Sequence, residues 1–230
     1  MSHCYDYPRP AVTVDMALFT ADGMQLQVLL IRRKSPPHAG AWALPGGFVN
    51  VSDGDDQGES LEAAALRELR EETHLGSGDV FLEQLFTFGD PGRDPRGRVI
   101  SVTYYALVSS HLLPKVEAGD DAAEVRWFPA EQAERMRLAF DHRRILGVAL
   151  ERLRGKIDYD PRLAMGLLPA QFTQAELRRV YETVKGTKFD RGNFSKRFRR
   201  MVVDGRIEEV GGRRLQRSSG RPGHLYRLKG

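Results

Sequence analysis

Glu68, Glu71 and Glu72 stand at i, i+3 and i+4 in a stretch whose apolar residues recur with helical spacing. On a helix the three carboxylates project from one face, within reach of the same ion or ions. Carboxylate oxygens are hard ligands, and such a set selects Mg²⁺ or Mn²⁺, ions that complete their shells with water and phosphate oxygens. That is the arrangement metal-assisted hydrolysis of a diphosphate requires. Arg67 lies four residues before Glu71 and Glu59 precedes the helix, so a Glu59–Arg67 pair would brace the preceding loop against it. Upstream, Leu44-Pro45-Gly46-Gly47-Phe48 supplies two glycines where backbone must pass close to metal or phosphate. The plain alternative is a solvated acidic helix face with a surface Glu59–Arg67 ion pair; the full spaced set favours the chemistry.

The elements that must position these groups alternate between strand and helix. Residues 11–19 and 26–32 flank a turn at Asp22-Gly23 and read as adjacent strands, at least one buried on both faces. Further strands are predicted at 81–88, 99–108 and 124–128. The carboxylate helix spans 60–74, with Ser60 as N-cap, Glu62 in the first turn and Leu61, Ala65 and Leu69 on its apolar stripe. Helices at 129–136, opened by Pro129, and 142–154, capped by Asp141, complete a mixed α/β pattern. Periodicity weakens after Gly155, where Gly166 and Pro169 mark a short helical piece and a connector; the boundary is placed there, giving domains 1–154 and 155–230.

Charge divides at the same point. Residues 155–230 hold 18 Lys+Arg against 8 Asp+Glu, net +10, whereas residues 1–154 are net −6. A module that basic favours polyanions such as DNA through counterion release. Thr173-Gln174-Ala175-Glu176 has the form of a capping box and opens a helix with Leu177, Val180, Tyr181 and Val184 on one face. A second helix, 191–203, places Phe194, Phe198, Met201 and Val202 on one side and Lys196, Arg199 and Arg200 on the other, and Gly205 ends it. Strands at 207–210 and 225–228 follow, joined by a basic connection containing Arg217 and Arg221. Helix, helix and hairpin form a winged helix-turn-helix, with the 191–203 helix in the major groove and Lys196, Arg197, Arg199, Arg200, Arg217 and Arg221 as DNA contacts.

The single cysteine, Cys4, excludes an intrachain disulfide and a thiolate metal site, which suits a reducing cytoplasm. No apolar run approaches a membrane span and no targeting segment is visible at the start, so no membrane association is expected.

Glu59, seven intervening residues and Arg67-Glu68-Leu69-Arg70-Glu71-Glu72-Thr73-His74-Leu75 resemble the Nudix box, G-x5-E-x7-R-E-U-x-E-E-x-G-U with U aliphatic. Two departures stand out: eleven residues separate Gly47 from Glu59, and His74 replaces the last glycine. The resemblance implies an α/β/α sandwich with a mixed sheet, Glu68, Glu71 and Glu72 as metal ligands, and Glu59 and Arg67 in the catalytic set. In the family a general base is sometimes recruited from outside the box, and Glu117, Asp120 and Asp121 are the candidates for one here. Phe88 to Gly97, Val102 to Tyr105 and Leu138 to His142 resemble Nudix domains that act on or sense ADP-ribose, with Arg33, Gly46, Gly47, Arg93 and Arg96 toward the ligand. His142 reads as a helix-cap contact.

A Nudix domain followed by a winged helix is similar to the Nudix-related transcriptional regulators of NAD biosynthesis, the NrtR family. LPGGF, the box, AFDH and the terminal GRPGHLYRL carry that likeness. It implies a homodimeric repressor that binds a double-stranded DNA operator and responds to ADP-ribose. Many members have lost the catalytic carboxylates, whereas this chain keeps them, implying retained pyrophosphohydrolase activity. The alternatives are a dedicated hydrolase of ADP-ribose or a related nucleoside diphosphate derivative, and a non-catalytic regulator responding to a sugar phosphate.

Overall fold

The computed structural model describes residues 6–52, 57–115, 122–215 and 223–229. β1 (Ala11–Asp22) turns at Gly23, φ 60°, into β2 (Gln25–Arg33), and the short β3 (Trp42–Ala43) and β4 (Gly46–Phe48) follow. α1 (Leu61–Thr73) leads to β5 (Val80–Phe88), β6 (Val99–Val108) and β7 (Ala122–Pro129). The strands form one mixed sheet in the order β3-β2-β1-β6-β5, with β4 also on β1 and β7 also on β2. β1 and β6 run parallel and every other pair is antiparallel. The sequence foresees the five long strands; β3 and β4 are too short to show a period of two.

β1 is buried at every residue from Thr13 to Thr20, its polar Thr13, Asp15 and Thr20 included, as a strand covered on both faces requires. Its alternate side chains enter different cores. Ala17 and Phe19 join Tyr105 and Leu107 on one face, while Val14, Met16 and Leu18 join Tyr104 and Ala106 on the other, against Ala64, Ala65 and Leu69 of α1. Helices therefore cover both faces, the expected α/β/α sandwich.

α2 (Ala130–Ala133) is shorter than the expected 129–136, and α3 (His142–Lys156) runs straight through Gly155, the residue taken as the junction. Asp141 stands at the cap position of α3 but does not cap it with its side chain, because Arg93 holds both its carboxylate oxygens. α4 (Pro161–Gly166) begins at an Asp160 cap and ends against the sheet. The short helical piece and connector expected around Gly166 and Pro169 are present, and a Cβ on Gly166 would lie 2.9 Å from the Phe81 side chain, so this glycine also permits a close approach of helix to sheet.

α5 (Gln174–Lys185) carries the foreseen capping box: Thr173 Oγ1 accepts from Glu176 N–H, and Glu176 Oε2 from Thr173 N–H at 2.8 Å. α6 (Arg191–Val203) follows, then β8 (Ile207–Leu215) and β9 (Gly223–Leu228), longer than the expected pair. Phe172 adds main-chain bonds to Tyr226 on the hairpin's free side. Phe194, Phe198 and Met201 are buried, but Val202 is 36% exposed; one residue past Met201 it is rotated off the apolar stripe. One core runs from the sheet through Leu153, Leu163, Leu177 and Tyr181 to Phe194 and Phe198, so the two halves are packed together. Among the described residues no helix is long and apolar enough to cross a membrane.

Candidate functional site

Two glycines decide how the sheet meets the carboxylate helix. β4 lies antiparallel to β1 with Gly46 opposite Asp15 and Gly47 opposite Val14. Gly46 has φ 152°, and a Cβ there would meet Val14 O at 2.3 Å; on Gly47 it would meet Glu68 Oε1 at 2.2 Å. No side chain fits between β1, β4 and α1 at these positions.

The helix itself is fixed at both ends. Ser60 Oγ accepts from Ala63 N–H at 3.2 Å, and His74 ends it in the left-handed region, φ 60° and ψ 10°, donating N–H to Arg70 O at 2.9 Å. That conformation is why a glycine commonly occupies the position.

Arg67 is the hub of the site. Its Nη2 donates to Glu59 Oε1 at 2.6 Å and to Phe48 O at 3.0 Å, its Nε to Glu59 Oε2 at 3.0 Å, and its Nη1 to Glu68 Oε1 at 2.7 Å and Glu71 Oε2 at 3.0 Å. Glu59 Oε1 also accepts from Asn50 N–H at 2.8 Å, so the predicted brace exists and reaches β4 and the loop beyond it. The Arg67 hydrogen bonds hold the Glu59 carboxyl below its usual range, and the same partners keep Arg67 firmly protonated. Burial pushes Glu68 up despite its bond to Arg67.

Glu72 is buried and accepts from Gly46 N–H at 3.0 Å, whereas the Glu71 side chain is 51% exposed. The three carboxylates thus share one helix face, as the spacing predicts. Among the described residues, however, no three acidic, histidine or cysteine side chains converge into a ready metal-holding cluster. Glu68 and Glu71 turn to Arg67 and Glu72 turns to Gly46. Glu117, Asp120 and Asp121, the candidate bases, lie outside the described residues.

Beside the helix lies a second network centred on Asp15, which the sequence reading missed; its signal was a lone carboxylate in an apolar strand. Ser101 Oγ donates to Asp15 Oδ2 at 2.5 Å, Arg93 Nη2 lies 3.5 Å from the same oxygen, and His142 Nε2 lies 3.5 Å from Oδ1. His142 Nδ1 accepts Leu44 N–H at 2.9 Å, so the ring is neutral with its proton on Nε2. Burial lowers its pKa, outweighing Asp15 and Asp141. It therefore ties the LPGGF turn to the start of α3, a different contact from the cap expected of it. Arg93 donates to Asp141 at 2.7 and 3.1 Å and its side chain is only 4% exposed. It is committed to these carboxylates, which corrects its placement as a ligand-facing cation.

Arg33 and Arg96 are better placed. Both guanidinium groups lie over the Phe140 ring, at 4.9 and 5.6 Å, and Arg96 also lies 4.8 Å from the Phe48 ring. Asp94 grips Arg96 at 3.0 and 2.7 Å, and Arg33 Nε donates to Pro37 O at 2.9 Å. Burial and then the neighbouring Arg96 lower the Arg33 pKa, and both cations lie against the same aromatic ring. Phe140 holds φ 51°, rare for a bulky residue and a sign that its ring is held in place by its surroundings. Phe48, 43% exposed, and Phe140 are the aromatic neighbours of these arginines, Phe48 of Arg96 and Phe140 of both.

On the second domain Lys196, Arg199 and Arg200 are exposed on α6, as predicted. Arg197 is not on that surface: its Nη1 donates to Asp158 Oδ1 and its Nη2 to Asp158 O, both at 2.9 Å, and it lies 4.3 Å from the Tyr181 ring. The helix period puts it beside Phe194, Phe198 and Met201, so the expected DNA contact is a packing residue. Arg217 and Arg221 lie outside the described residues.

With this geometry in view, the NUDIX domain profile matches residues 9–147 and the NrtR DNA-binding winged helix domain profile matches residues 164–228. Over 223 residues the chain is 39% identical to the ADPR responsive transcriptional repressor NtrR of Acinetobacter baylyi, covering 97% of this chain and 84% of that one. Over 140 residues, 61% of this chain and 73% of the relative, it is 40% identical to the ADP-ribose pyrophosphatase of Methanocaldococcus jannaschii. The structure of Shewanella oneidensis NrtR complexed with a 27mer DNA superposes with TM-score 0.79 at 36% identity, covering 95% of this chain and 93% of that chain. The chain belongs to the NrtR family, a NUDIX domain of the hydrolase fold followed by an NrtR DNA-binding winged helix domain.

Proposed function

We propose that the chain is an ADP-ribose-responsive repressor of NAD metabolism genes, acting in the cytoplasm as a homodimer on double-stranded operator DNA, and that its box still hydrolyses the ligand. The observation that carries this reading is a complete Arg67-centred carboxylate set in the same packed body as the exposed basic face of α6. The Acinetobacter relative supports the response to ADP-ribose, and the Methanocaldococcus relative supports the cleavage.

Glu68, Glu71 and Glu72 fit Mg²⁺ or Mn²⁺: all are oxygen donors, and the Gly46-Gly47 backbone lies beside them where a Cβ would fill the approach. When bound, the ion supplies charge neutralisation at the diphosphate and activation of water. The chain's own groups do the rest. Arg67 holds Glu59, Glu68 and the Phe48 carbonyl in register, and Arg33 and Arg96 present guanidinium groups to the ligand's phosphates. The Phe48 and Phe140 rings give its sugar and base an apolar wall. The products would be AMP and ribose 5-phosphate.

Glu71→Gln or Glu72→Gln is expected to reduce Mg²⁺-dependent ADP-ribose turnover by at least about 10²-fold while leaving DNA binding intact. Full turnover in both variants would remove the metal assignment. A dedicated hydrolase is the second reading; it predicts that ADP-ribose leaves DNA binding unchanged.

A further inference from the structure

α3 has one end in the ligand site and the other against the DNA-binding helices. At its start, His142 is bonded to Leu44 N–H and Asp141 to Arg93. Its 15 residues span roughly 22 Å at 1.5 Å each. Two residues beyond its end, Asp158 Oδ2 accepts from Lys185 Nζ at 2.7 Å, and Lys185 also donates to Arg154 O at 3.1 Å. The other side of the same residue holds Arg197 through Oδ1 and its main-chain oxygen. Asp158 therefore grips the last residue of α5 and the middle of α6 together. Nearby an open cleft of about 360 Å³ lies between the halves, bordered by Leu26, Pro129, Arg154, Thr183 and Lys188.

Resting on the repressor reading above, we propose that Asp158 is a positioning residue for operator recognition. By holding Arg197 and Lys185 it sets the rotation of α6, so that Lys196, Arg199 and Arg200 point outward together. Its place just past α3 makes it the joint at which displacement of the LPGGF turn reaches the recognition helix. Arg197 acts with it, through packing and without touching DNA. The Asp158 carboxyl is fitted to this: burial alone would raise its pKa, but Lys185 and Arg197 hold it below the ordinary range.

The test uses the full chain and a duplex enriched by the wild-type chain from a random-sequence pool. Asp158→Asn and Arg197→Lys are each expected to lower affinity for that duplex roughly tenfold, about the loss from removing one charge-assisted hydrogen bond. Affinity for random DNA and the salt slope should stay at wild-type values, and the double variant should lose no more than either single one. ADP-ribose affinity should also be unchanged, while its effect on DNA binding shrinks. Asp158→Glu, which keeps the charge, should recover part of the loss; a purely structural role would lower the melting temperature without changing the ratio of selected to random binding. If Asp158→Asn binds and responds like wild type, or if Arg197→Lys keeps full affinity, the proposal is overturned. A wild-type chain that enriches no duplex overturns the repressor reading itself, and the proposal with it.

Discussion

At the scale of single residues, charge is handled here by giving every carboxylate of the site a donor, in one case a donor shared by three of them. Arg67 serves Glu59, Glu68 and Glu71, Gly46 N–H serves Glu72, and Asp15 is shared by Ser101, Arg93 and His142. His142 shows what such an assignment costs when it titrates. Its folded pKa lies below the unfolded value of about 6.5, so the unfolded chain takes up the proton first and stability falls as pH drops below that value. Stability should therefore decline as pH falls through this range, and His142→Gln, which can still accept Leu44 N–H, should flatten the decline. Denaturant unfolding at several pH values measures it; identical pH profiles for the two proteins would show that another group titrates.

At the scale of elements, the sequence was most legible where one local pattern decides the outcome. Thr173 and Glu176 announced α5, Ser60 announced α1, and the apolar-rich stretches 11–19 and 26–32 announced adjacent strands, at least one buried on both faces. It was least legible where long-range partners overrule a local signal. Asp141 looked like a cap but is claimed by Arg93, and Arg197 looked like a DNA contact but belongs to Asp158. The Glu68, Glu71 and Glu72 face was readable from spacing alone, whereas the Asp15 network joins residues from three elements and a loop and leaves no period. One departure from the family pattern is explained by backbone geometry. His74 occupies a left-handed position at φ 60°, so His74→Gly should stabilise the chain by about 0.5–1 kcal/mol. Equilibrium denaturation checks this, and a loss of stability would mean that the imidazole makes contacts outweighing the backbone strain.

Over the whole molecule, an acidic ligand-binding half and a basic DNA-binding half share one core, which suits a protein whose two sites must influence each other. The exposed face of α6 should act through phosphate contacts: Lys196→Ala or Arg199→Ala is expected to reduce the slope of log affinity against log salt by about 1. An unchanged slope would place DNA elsewhere on the surface. The central claim is that the site which senses ADP-ribose also removes it. The most direct measurement is the time course of operator occupancy after one addition of ADP-ribose in Mg²⁺, for the wild-type chain and for Glu71→Gln. Both proteins should release DNA at first; wild type should rebind as the ligand is cleaved, while Glu71→Gln should stay released. Occupancy that never falls, or that recovers equally in both proteins, would contradict the account.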